Sequence, residues 1–66
     1  MAATEITLTG GTQIRVDGGV QVVETAIVSA ARGSILELAW LTEAQTGQRV
    51  AINPDHVLMI REFDPG

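Results

Sequence analysis

Sixty-six residues allow a single small domain, residues 1–66, with a core too small to enclose a deep catalytic pocket. Hydrophobic residues make up 45% and charged residues 18%, which is a folding composition and not that of a disordered tail, and the net charge is −4. Cysteine is absent and histidine occurs once, so disulfides, thiolate metal sites and a self-contained structural zinc are excluded.

Residues 5–16 alternate in the manner of a strand pair. Ile6 and Leu8 face one way and Thr7 and Thr9 the other, and Ile14 and Val16 repeat this after Gly10-Gly11, which predicts a β-hairpin. Residues 1–4 are expected to form a flexible end. Asp17-Gly18-Gly19 breaks the strand, and from Val20 to Ala31 the period changes. Val20, Val23, Ile27, Ala30 and Ala31 fall on one face of a helix of about three turns. Asp17 is near enough to cap its start, and Arg32-Gly33 supplies a stop.

The strand pattern returns at Ser34. Leu36, Leu38 and Trp40 share one face and Ile35, Glu37, Ala39 and Leu41 the other, so both faces are largely apolar, as in a central or interface strand. Residues 43–48 are a polar connection holding Gly47, and residues 49–53 form the next strand with Val50 and Ile52 inward. Asn53-Pro54-Asp55-His56 is a tight turn, because proline fixes φ while Asn and Asp offer acceptors to turn amides. Residues 57–63 form the last strand, opening on Val57-Leu58-Met59-Ile60, and residues 64–66 are expected to be a second flexible end. The order β-β-α-β-β-β makes the chain α+β. Five short strands with a tight turn before the last predict a small SH3-like β-barrel or a strongly bent antiparallel sheet, with the helix plugging one open end.

Two stretches resemble a known group. Ile6-Thr7-Leu8-Thr9-Gly10-Gly11-Thr12-Gln13-Ile14-Arg15-Val16 leads into a short helix, and Asn53-Pro54-Asp55-His56-Val57 runs into Ile60-Arg61-Glu62. Both are similar to elements of the small FlbD-like flagellar type and of related actinobacterial or phage β proteins, although here they stand in permuted order. The first hairpin with its helix, and the strand, polar glycine turn and strand that lead into Asn53, together cover most of the chain. The resemblance implies a small β fold and carries no catalytic signature. Arginine as the sole basic residue besides His56, with many Ala, Gly and Val, points to a GC-rich bacterium or its phage as source.

The four arginines, Arg15, Arg32, Arg49 and Arg61, are spread along an acidic chain, and only Trp40 and Phe63 could stack on bases, so nucleic-acid binding is disfavoured. The N-terminus has neither a basic n-region nor an apolar h-region, and no apolar run approaches the roughly 20 residues that span a bilayer, so a cytoplasmic protein without membrane contact is expected. His56 beside Asp55 reads as a turn residue. The glycine pairs lack the spacing of a phosphate loop, and no lysine is present to meet a phosphate. No enzyme activity, cofactor or metal is expected.

The remaining signal is apolar. Trp40 and Leu38, and the run Val57, Leu58, Met59 and Ile60, are the interface candidates. In a regular strand one alternate pair of that run, Val57/Met59 or Leu58/Ile60, must point away from a one-sided core. The expectation is therefore a non-catalytic binding or structural module that self-associates as a dimer or small ring. A small-ligand-binding regulatory or sequestering protein with sites between subunits is the alternative, with Arg15, Arg49 or Arg61 contacting an anion and Trp40 stacking. A nucleic-acid-binding small barrel comes third.

Overall fold

The glycine pair at 10 and 11 sets the first hairpin. A computed structural model describes residues 2–33 and 37–64, and in it both glycines take positive φ, +94° and +91°. The amide of Gly11 donates to the Leu8 carbonyl at 2.9 Å and the amide of Leu8 to the Thr12 carbonyl at 2.8 Å. A turn with left-handed backbone at its third residue is open to glycine at little cost. It joins β1 (Ala3–Leu8) to β2 (Gln13–Asp17), antiparallel with Ile6 opposite Ile14. The strand begins two residues earlier than the alternation suggested. Ala3 and Thr4 are buried rather than loose, and the Thr4 hydroxyl donates to the Gly18 carbonyl at 2.9 Å.

Helix α1 (Val20–Ala31) has the predicted limits. Its capping differs, because Gly19 holds the N-cap in an extended conformation with no side-chain hydrogen bond, while Asp17 still belongs to β2. The buried stripe is Val23 and Ala30, flanked by Ala26 and Ile27; Ala31, assigned to it by spacing, is exposed.

The second hairpin joins β3 (Ala39–Thr42) to β4 (Arg49–Ile52), with Trp40 opposite Ala51 and Leu41 opposite Val50. The predicted start of that strand, Ser34–Leu36, lies outside the described residues. Gly47, at φ +74°, lets the turn close, its amide donating to the Glu43 carbonyl at 2.9 Å. A 3₁₀ turn over Pro54–His56 follows, with the Asn53 side chain accepting from the Asp55 amide at 2.9 Å. It delivers the chain into β5 (Val57–Phe63).

β1 is the centre of a three-stranded antiparallel sheet ordered β2-β1-β5, and β3-β4 is a separate two-stranded sheet. Among the described residues the sheets are linked by a single bridge, Val16 to Glu43, and by the Ala44 amide donating to the Arg15 carbonyl at 2.9 Å. Among the described residues no ladder joins β4 to β5, so the fold is α+β with two antiparallel sheets and not a closed barrel. Ile6, Val16, Val23, Leu41 and Ile52 form the core between the sheets and the helix, with Leu8, Ile14, Val50, Val57 and Ile60 packed around them. No helix among the described residues is long and apolar enough to cross a membrane.

Candidate functional site

The final strand decides which apolar residues are available to a partner. Thr7 of β1 faces Met59, but Leu8 faces Val57, so one residue of β5 has no counterpart and Leu58 is bulged out of the ladder. A bulge inserts one residue and shifts the alternation. Val57 and Ile60 consequently both turn to the core, and Leu58 and Met59, neighbours in sequence, are both exposed, at 65% and 47%. This corrects the expectation of an alternate pair. Of the interface candidates in this run, Val57 and Ile60 are core residues and Leu58 and Met59 remain as surface.

On the other sheet, Ala39 and Leu41 point inward, which leaves Trp40 on the outer face, 58% exposed beside exposed Ala51. The Arg49 guanidinium lies over its ring, 5.7 Å from the centroid. Such a pair holds the indole in place without covering it. Leu38, just before β3, is partly exposed as well. The core-or-surface choice for Trp40, open in the sequence, is resolved toward the surface.

Two further arginines, Arg15 and Arg61, converge elsewhere, on the outward face of β1. Glu5 sits between Arg15 on β2 and Arg61 on β5, its cross-strand neighbours, and is only 3% exposed. Arg61 donates from Nε to Glu5 Oε1 at 2.8 Å and brings Nη2 to 2.6 Å of the same oxygen, while Arg15 Nε stands 3.4 Å from Oε2. Arg15 also stacks on Phe63, 4.0 Å from its centroid. The three-residue rack Arg15–Glu5–Arg61 thus ties all three strands. Alternation alone places Glu5 on the face opposite Ile6, but its partner Arg61 is too distant in sequence for any local pattern to reveal.

The hydrogen bond from Arg61, reinforced by that residue's charge and by Arg15, holds the Glu5 carboxyl below its usual value of 4.5 against the upward push of burial. A carboxyl lowered on folding stabilises the native state above its unfolded pKa, and that contribution fades as pH falls through the lower native value. Glu5→Gln should therefore be less stable than the parent at neutral pH. The gap should close as acid protonates the parent's Glu5. Urea unfolding of both proteins across pH 7 to 2 measures it, and a gap that persisted at the acid end would show the charge to be irrelevant.

His56 lies in the 3₁₀ turn, where its carbonyl accepts from the Thr9 amide at 2.8 Å and the Thr9 hydroxyl at 3.2 Å. That makes the backbone of His56 a tie between two turns. Among the described residues no group of three or more His, Asp and Glu side chains is placed to hold a metal ion. No family model, curated protein or solved structure matches the chain.

Proposed function

We propose that this protein is a non-catalytic module that works as a homo-oligomer, its exposed apolar side chains covered by further copies of itself. The observation that carries this reading is the outward position of Trp40, Leu58 and Met59, three large apolar side chains that a chain so poor in core leaves exposed. The accessible surface, 4565 Å², points the same way, since compact monomers of this mass expose roughly 4,000 Å². Tryptophan in particular dominates the energetics of contacts that bury it.

The two apolar patches lie on different sheets. A contact of one patch with itself gives a symmetric dimer, whereas patch-to-patch contact gives a ring or a filament. The architecture behind this reading is an opened SH3-like barrel, supported by the pairing of first and last strands and by the 3₁₀ turn before the last. A bacterial or phage setting accords with the FlbD-like resemblance and the arginine-only composition. Arg49 over Trp40 supports an intersubunit ligand site as a second reading, in which the ring stacks on a bound group.

Size-exclusion chromatography with light scattering at tens of micromolar tests the proposal. A mass at a multiple of 7.0 kDa is expected. A strict monomer over that range would remove self-association and leave a heterologous protein as the partner.

A further inference from the structure

A cleft of about 260 Å³ opens on the outward face of the three-stranded sheet, between Phe63 and the turn after β3, with Arg15 and Asp17 among its lining. The rest of its lining is Ala2, Ala3, Ala44 and Phe63, with Gln45 as a further polar side chain. We propose that this cleft binds a small monocarboxylate with an apolar body, the carboxylate resting on Arg15.

Arg15 is held ready for such a contact on three sides. Its guanidinium carbon lies over the Phe63 ring, 4.0 Å from the centroid, its Nε faces Glu5 Oε2 at 3.4 Å, and its backbone carbonyl accepts from the Ala44 amide at 2.9 Å. The side chain is 41% exposed where it lines the cleft. A planar guanidinium with its donors fixed in direction meets a planar carboxylate in two parallel hydrogen bonds, and fixing it beforehand removes the entropy cost of ordering it on binding.

The surroundings select the ligand. Glu5 offsets one of the two arginine charges of the rack, and Asp17, two residues along β2 on the same face, adds a second carboxylate beside Arg15. With no surplus of positive charge in the cleft, a monocarboxylate is repelled less than a phosphate dianion or a dicarboxylate, and its contact rests on the Arg15 guanidinium alone. Three alanines and a phenyl ring favour an apolar body over a sugar or a polyol. The volume lies just under the roughly 300 Å³ at which ligand pockets usually begin, which limits the ligand to about the size of one ring.

Benzoate is the probe, titrated into the full chain at constant ionic strength and followed by backbone amide shifts, with benzyl alcohol and benzylamine as neutral and cationic controls. Saturable shifts in the millimolar range at Ala3, Arg15, Ala44 and Phe63, with benzoate alone, are expected. Arg15→Gln should weaken binding at least tenfold. Ala44→Leu, which narrows the cleft and leaves the Arg15–Glu5 pair in place, should do so if the first variant fails to fold. Absence of saturation, equal binding of benzyl alcohol, or benzoate binding untouched by both folded variants would each overturn the assignment.

Discussion

Ile6→Ala should bring the chain to the edge of unfolding at room temperature. Ile6 is completely buried at the middle of the central strand, with Ile14 opposite on β2 and Ile60 on β5, and it belongs to the same core as Val23 of the helix and Leu41 and Ile52 of the second sheet. Truncating a buried isoleucine to alanine costs about 2–5 kcal/mol. A folded chain of this length holds roughly 3–10 kcal/mol in total. Ile14→Ala, on the same face but half-buried, is the comparison and should cost distinctly less. Urea titrations of both give the answer, and a loss under about 1 kcal/mol for Ile6→Ala would contradict the central position of β1. In an oligomer the unfolding midpoint also rises with protein concentration, so the variants must be compared at one concentration.

Leu58→Asp and Met59→Asp should each break the assembly and leave the fold intact. The bulge puts both side chains outside, so neither aspartate enters the core. In an interface the same change removes an apolar contact worth about 1.5–3 kcal/mol and buries a carboxylate that lacks a partner. A loss of about 3 kcal/mol corresponds to a dissociation constant more than a hundredfold weaker. Ile60→Asp is the contrasting variant. It places a charge against Ile6 across the ladder and should unfold the chain. Light scattering with circular dichroism separates these outcomes, and if both aspartate variants stayed folded and assembled, β5 would not be part of the interface.

Much of the fold can be read from local pattern. The spacing of Val23, Ile27 and Ala30 is helical, Val50 and Ile52 alternate, and Asn53-Pro54-Asp55 can only turn, so elements at these places follow from backbone geometry and side-chain period. What escapes is non-local. The bulge at Leu58 exists because β5 must fit the register of β1, whose pairing shifts between Thr7 and Leu8, and nothing in Val57-Leu58-Met59-Ile60 announces it. The Glu5–Arg61 contact likewise depends on two strands 56 residues apart in the chain. Residues 3 and 4 look loose for want of large apolar side chains, yet Thr4 is buried because its hydroxyl finds the Gly18 carbonyl. The apolar surface is legible as an excess, and only the fold assigns it to Trp40, Leu58 and Met59 on the strands, beside Leu38 and the helix residues Val22 and Val28.

The strand order β2-β1-β5 also sets a timetable for folding. The central strand is the first in the sequence and its second neighbour is the last, with Ala3 paired to Phe63. The β1–β2 hairpin by itself has only two strands and cannot cover Ile6, so it is too weak to persist alone. Closing the long loop to β5 consumes chain entropy before any contact repays it, which slows folding relative to a chain of this length with local contacts only. During synthesis the three-stranded sheet cannot be completed until β5 has left the ribosome. The apolar run on that strand is then the last segment to find shelter, and the interval before it docks is when the chain is most open to aggregation.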